Sequence, residues 1–171
     1  MPVSVVVIMG PAGAGKTTVG VALAAALGWR FADADDFHSP ENVARLARGD
    51  ALTDEQRAPW LAALAADIAR TIAARSPMVL ACSALKRRYR DRLVPVGDAA
   101  EAVRFVYLKV STAELEDRLE HRTGHFATEA LLPSQLATLE EPALDEPGTL
   151  WVDGEQPPTT IVSTIRSALA L

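Results

Sequence analysis

Gly10-Pro11-Ala12-Gly13-Ala14-Gly15-Lys16-Thr17 decides the fold of this chain. The stretch fills every fixed position of the G-x-x-x-x-G-K-[ST] phosphate-binding loop. An apolar run, Val3–Met9, leads in, and an Ala/Leu/Val-rich helical pattern, Thr18–Leu27, leads out. The order is strand, glycine loop, helix. Glycines let successive backbone N–H groups turn inward around an anion, and the helix N-terminus adds partial positive charge. Gly10, Ala12, Gly13, Ala14, Gly15, Lys16, Thr17 and Thr18 are therefore the phosphate-binding candidates. Lys16 can reach the outer phosphates, and the Thr17 hydroxyl can ligate Mg²⁺. The loop specifies a nucleoside triphosphate without specifying the reaction.

Outward from the loop, short apolar runs alternate with helical patterns, the signature of a parallel α/β sheet. Strands are expected at Val3–Met9, Trp29–Ala32, Met78–Cys82, Arg104–Leu108 and Leu150–Val152. Ser39-Pro40 reads as an N-cap with proline in the first turn. Thr53–Gln56 and Ser111–Glu114 read as capping boxes. The last helix is expected from about Thr159 to Leu169. At 171 residues without a repeat or a linker, one domain spanning 1–171 is expected.

Composition narrows the function class. The net charge is −5, with 49% hydrophobic and 23% charged residues. That balance gives no reason to expect bulk nucleic-acid binding. Cys82 is the lone cysteine, which excludes an internal disulfide and suits a reducing cytoplasm. The chain enters its first strand without a charged leader, and no apolar run approaches the roughly 20 residues of a membrane span. A cytoplasmic protein with no membrane partner is expected.

Ligands of such sheets bind at the C-terminal strand ends. The second strand ends in Asp33-Ala34-Asp35-Asp36-Phe37-His38. On an extended segment Asp33 and Asp35 would point the same way. Asp35 could orient an acceptor hydroxyl and take its proton, and Asp33 could hold Mg²⁺ through water. At the third strand end the polar group is Ser83, a second water-mediated metal candidate. Lys86 and Arg90, spaced i and i+4 in the basic stretch Lys86–Arg92, would share a face toward an anionic acceptor. A sugar acid is such an acceptor, because its carboxylate asks for cations and its hydroxyls for carboxylates. The same basic stretch could instead be a nucleic-acid patch, disfavoured by the acidic net charge. Arg118 and the run Arg122-Thr123-Gly124-His125-Phe126 read as the start of a lid, about 121–133, that would carry Arg122 onto the phosphates and exclude water.

These motifs resemble the phosphate-loop gluconate kinases, relatives of shikimate and adenylate kinases. The resemblance runs from about Val6 to Pro158. It is carried by the Gly10–Thr17 loop, Asp33-x-Asp35-x-x-His38, Asp54-x-x-Arg57-x-Pro59-Trp60-Leu61 and Cys82-Ser83-Ala84-Leu85-Lys86 with Tyr89-Arg90-Asp91. It continues through Gly124-His125-Phe126 and Leu132-x-Ser134-Gln135-Leu136-x-Thr138-Leu139-Glu140-x-Pro142. The chain departs from the family at Leu136, often aromatic, and at Ser39, usually proline.

The resemblance implies a three-layer nucleoside-monophosphate-kinase-like fold, a five-stranded parallel sheet flanked by helices with a lid, and commonly a homodimer. It implies transfer of the γ-phosphoryl of ATP to the 6-hydroxyl of D-gluconate, with Mg²⁺. Lys16, Asp35 and Arg122 are then the catalytic candidates, and Asp35, His38, Arg57, Lys86, Arg90 and Gln135 the gluconate-binding ones. Thr17, with Asp33 and Ser83 through water, would serve the metal. Arg118, Arg122, Gln156 and Pro157 would complete the ATP site, the last two on an adenine-side loop after the last strand. A shikimate-kinase-like or other small-molecule kinase, and a non-catalytic nucleotide-binding regulator, are the alternative readings.

Overall fold

The computed structural model describes residues 2–121 and 126–171, the side chains of 126–129 excepted. Its centre is a five-stranded, all-parallel sheet of β1 (Val5–Met9), β2 (Arg30–Asp33), β3 (Met78–Ala81), β4 (Val103–Lys109) and β5 (Thr149–Asp153), in the order β2-β3-β1-β4-β5. The strands are apolar almost throughout because both sheet faces are covered. In central β1 the side chains alternate between two cores. Val5, Val7 and Met9 pack on one face with Trp60, Leu61, Leu64 and Tyr89, and Val6 and Ile8 pack on the other with Val19, Leu23, Leu115 and Ile161.

The first of those faces is covered by α3 (Asp54–Ala74) and α4 (Arg87–Leu93), the second by α1 (Lys16–Leu27), α5 (Thr112–Glu120) and α7 (Pro158–Leu169). Helix α2 (Pro40–Ala47) lies between β2 and α3 in the chain, and α6 (Phe126–Thr138) between α5 and β5. The central strand β1 hands the chain to the glycine loop, which places that loop above the middle of the sheet.

Most helix starts follow their sequence signals. Ser39 Oγ accepts from Asn42 N with Pro40 in the first turn, so the family departure at Ser39 is an ordinary N-cap. Thr53 and Gln56 form both arms of a capping box. The box expected at Ser111 is half built. Ser111 Oγ accepts from Glu114 N at 3.4 Å, but Glu114 turns to Arg118 one helical turn on, and Glu155 supplies the return arm to Ser111 N at 2.9 Å. Leu136, the other departure, packs on the α1/α7-side core.

Two expectations change. Ala34–Phe37 is a 3₁₀ turn and not an extended segment, because Asp33 Oδ1 caps it by accepting from Asp35 N at 3.0 Å. Of the expected lid, residues 122–125 lie outside the described residues, and from Phe126 onward the backbone is helix α6. Among the described residues no helix is long and apolar enough to cross a membrane.

Candidate active site

The loop between β1 and α1 opens onto a cavity of about 1190 Å³ at the C-terminal edge of the sheet. Gly13 (φ +83°) and Gly15 (φ +92°) hold left-handed backbone that a side chain would strain. At Gly13 a Cβ would also stand 3.2 Å from the Leu115 carbonyl oxygen, so α5 backs the loop closely. Gly15 is the N-cap of α1 and has no capping side chain, leaving the first helical N–H groups for a ligand. Lys16 Nζ donates to the Pro11 carbonyl oxygen at 3.0 Å, folding its side chain back over the loop.

Beside the loop stands the carboxylate pair. Thr17 Oγ1 donates to Asp33 Oδ2 at 3.1 Å, and the second Asp33 oxygen holds Asp35 N. Asp35 lines the same cavity. Burial, then repulsion from Asp33, pushes its carboxyl above the ordinary 3.8, against the pull of Lys16 and His38. A carboxylate with a raised pKa is a better proton acceptor than an ordinary one. Two hard oxygens, from Thr17 and Asp33, meet beside the loop, and Ser83 lines the cavity with them. Among the described residues no group of three or more His, Cys, Asp or Glu could hold a metal. That donor set suits Mg²⁺, which takes few protein ligands and completes its shell with water and phosphate.

Elsewhere on the cavity wall, His38 stacks on Trp60 with ring centroids 4.5 Å apart and 12° between planes. Trp60 is fixed in turn by its indole N–H to the Ala34 carbonyl oxygen at 2.7 Å. Burial pushes the His38 imidazole below 6.5, and its Nδ1 is buried without a partner among the described residues. Arg57 and Gln135 line the cavity too. Gln135 Oε1 accepts from Ala12 N at 2.7 Å, tying α6 directly to the loop. Cys82 also faces this space, but burial pushes its thiol up to about 12, which leaves it inert.

Arg118 lines the cavity as well. It pairs with Glu114 at 2.7 Å, donates to the Gly154 carbonyl oxygen at 3.0 Å and reaches the Gly13 carbonyl oxygen at 3.4 Å. Gln156 lines the cavity and donates to Asp153 at 2.9 Å, and Pro157 is the N-cap of α7 beside it. The sequence reading missed Glu155, whose tie to Ser111 fixes this loop against α5.

The basic stretch is arranged otherwise than expected. Lys86 is the N-cap of α4, outside the helix, so it shares no helical face with Arg90. Lys86 Nζ pairs with Asp54 at 3.3 Å and does not line the cavity. Arg90 points into the protein at 2% exposure. Its Nε and Nη2 grip Glu146 at 2.6 and 2.9 Å, and its Nη1 donates to the Ala84 and Glu140 carbonyl oxygens at 3.1 and 3.0 Å. Arg90 is thus a buried structural cation and not a wall of the acceptor pocket. Arg122 lies outside the described residues.

A phosphate loop, a Thr–Asp pair beside it and a further carboxylate sharing one cavity on a parallel sheet define a phosphate-loop kinase of small molecules. A family described as an AAA domain matches residues 5–142. A gluconokinase of Gluconobacter oxydans (strain 621H) is 47% identical over 159 residues, 93% of this chain and 87% of the relative. Among solved structures, a sugar kinase from Janibacter sp. HTCC2649 superposes with a TM-score of 0.89 at 42% identity, covering 99% of this chain and 95% of that one. A gluconokinase from Sinorhizobium meliloti 1021 superposes with a TM-score of 0.83 at 44% identity, covering 99% and 92%. The chain belongs to the gluconokinase family.

Proposed function

We propose that this protein transfers the γ-phosphoryl of ATP to the 6-hydroxyl of D-gluconate, giving ADP and 6-phospho-D-gluconate. The observation that carries the reading is Asp35, which stands beside the Thr17–Asp33 pair and shares the loop's cavity with Arg57. The loop N–H groups and Lys16 hold the triphosphate and take up negative charge as it spreads over the transferring group. Thr17, with Asp33 and Ser83 through water, would hold Mg²⁺. When bound, that ion would neutralise charge on the β- and γ-phosphate oxygens.

Asp35 orients the acceptor hydroxyl in line with the bond being broken and accepts its proton as the new O–P bond forms. Arg57, His38 and Gln135 orient the rest of the acceptor, with Lys86 behind them. Arg118, Gln156 and Pro157 bound the adenine side. By the family resemblance, Arg122 adds a further cation for the transferring phosphoryl. Most of the acceleration then comes from positioning and fixed charge, because little covalent chemistry falls to the protein. The same resemblance supports a cytoplasmic homodimer, which light scattering at micromolar concentration would test.

The deciding assay is ADP release from MgATP with and without D-gluconate, with shikimate and AMP as parallel acceptors. Release that requires gluconate is the expected outcome. ATP binding with no gluconate-dependent release would overturn the acceptor and favour a nucleotide-binding regulator.

A further inference from the structure

Behind the acceptor wall lies a chain of polar groups that the transfer step does not use. Arg57 sits in the second turn of α3 and lines the cavity. Both of its hydrogen bonds leave from Nη1, to the Leu52 carbonyl oxygen at 2.6 Å and to the Tyr89 hydroxyl oxygen at 3.3 Å. The Tyr89 hydroxyl hydrogen goes the other way, to Asp54 Oδ1. Asp54 is held in turn by Lys86 Nζ at 3.3 Å and by Arg88 Nη2. The Tyr89 ring is 4% exposed, with the Arg57 guanidinium 5.6 Å and Lys86 Nζ 5.5 Å from its centre.

This arrangement has a fixed polarity. A phenol has one hydrogen, and Asp54 takes it, so the oxygen can only accept from Arg57. The Tyr89 hydrogen bond, with Lys86 and Arg88 beside it, holds the Asp54 carboxyl down at about 2, and Asp54 is an anion at every working pH. With Nη1 committed to the protein, the Nε–Nη2 edge of Arg57 is left for a ligand. That edge matches a carboxylate with two parallel hydrogen bonds. The same chain shows the match at Arg90, whose Nε and Nη2 take the two oxygens of Glu146.

We propose that Tyr89 and Asp54 are positioning residues that lock Nη1 of Arg57, so that its Nε–Nη2 edge receives the carboxylate of the sugar-acid acceptor. The inference rests on gluconate being the acceptor. It also gives the Lys86 charge a different task from the expected one, which is to hold Asp54 and not the substrate.

The test is steady-state kinetics of Tyr89→Phe and Asp54→Asn, with gluconate and MgATP varied separately and melting temperatures recorded. Tyr89→Phe keeps the buried ring and loses only the hydroxyl. It should raise the gluconate KM about tenfold, the cost of one hydrogen bond to a charged group, and leave the MgATP KM within about twofold. Asp54→Asn keeps an acceptor for the Tyr89 hydroxyl and should raise the same KM by less, about threefold. An unchanged gluconate KM in Tyr89→Phe overturns the inference, as does an equal rise in both KM values, which a loosened fold would give. If the unaltered chain shows no gluconate-dependent turnover, the acceptor reading falls and this inference with it. Turnover of gluconate by the unaltered chain, with Tyr89→Phe indistinguishable from it, sinks the inference alone.

Discussion

At the scale of single residues, the chemistry turns on which group is charged at neutral pH. Asp35 and Asp33 sit two positions apart, and burial and mutual repulsion act on Asp35 in the same direction. Its carboxyl therefore ionises above 3.8, and the active, anionic form is lost as pH falls through that raised value. The kcat profile for gluconate should show an acid limb above the pKa of an ordinary aspartate. Asp35→Asn should lower kcat by about 10²-fold or more and abolish that limb, measured in purified protein across pH. Near-normal turnover in Asp35→Asn would remove it from the proton step. Lys16→Ala should nearly abolish turnover, because the charge it supplies to the transferring phosphoryl has no replacement in the loop. His38 is shifted the other way, its imidazole pushed below 6.5 by burial while its ring stacks on Trp60.

At the scale of elements, the helix caps carry the site. Helix α3 starts at the Thr53–Gln56 capping box, and its first two turns bring Asp54 to Tyr89 and Arg57 to the cavity. Thr53→Ala should cost about 1 kcal/mol of stability by denaturant melting and also raise the gluconate KM, because fraying at this end moves Arg57. The caps, the loop and the strands were legible because their causes are local. A buried parallel strand must be apolar on both faces, and a cap needs only a hydroxyl three residues from a helical N–H. The departures have causes that a local pattern does not contain. The 3₁₀ turn after β2 exists because Asp33 caps it, and the same four residues could be read as extended chain. Gln135 meets Ala12 across 123 positions, and Arg90 meets Glu146 across 56. Spacing along the basic stretch therefore could not tell a substrate cation from a structural one. Tyr89 and Asp54 stood in the family motifs without a role, and only their contact with Arg57 in three dimensions gives them one.

At the scale of the whole molecule, the Arg90–Glu146 pair stitches α4 to the segment that leads from α6 into β5. At 2% and 8% exposure the two charges are out of water, and each survives only because the other is present. The guanidinium also satisfies the Ala84 and Glu140 carbonyl oxygens, so it ties the β3–α4 loop and the α6–β5 connection to α4 at once. Removing one partner strands the other. Glu146→Ala should lower stability by about 3–5 kcal/mol, while the paired change Arg90→Met with Glu146→Leu, which leaves no orphaned charge, should recover much of that loss. The pair also sets acid sensitivity. Arg90 holds the Glu146 carboxyl below its ordinary 4.5, so this stability is fully present above pH 4.5 and drains away as pH falls toward the lowered value. The melting temperature of the unaltered chain should thus fall on acidification more steeply than that of the paired variant. Kinetics separates the structural role from the substrate role assigned to Arg90 by its spacing. If Arg90 is purely structural, the folded paired variant keeps the gluconate KM of the unaltered chain, and a large rise in that KM at full occupancy of the native state would return Arg90 to the pocket.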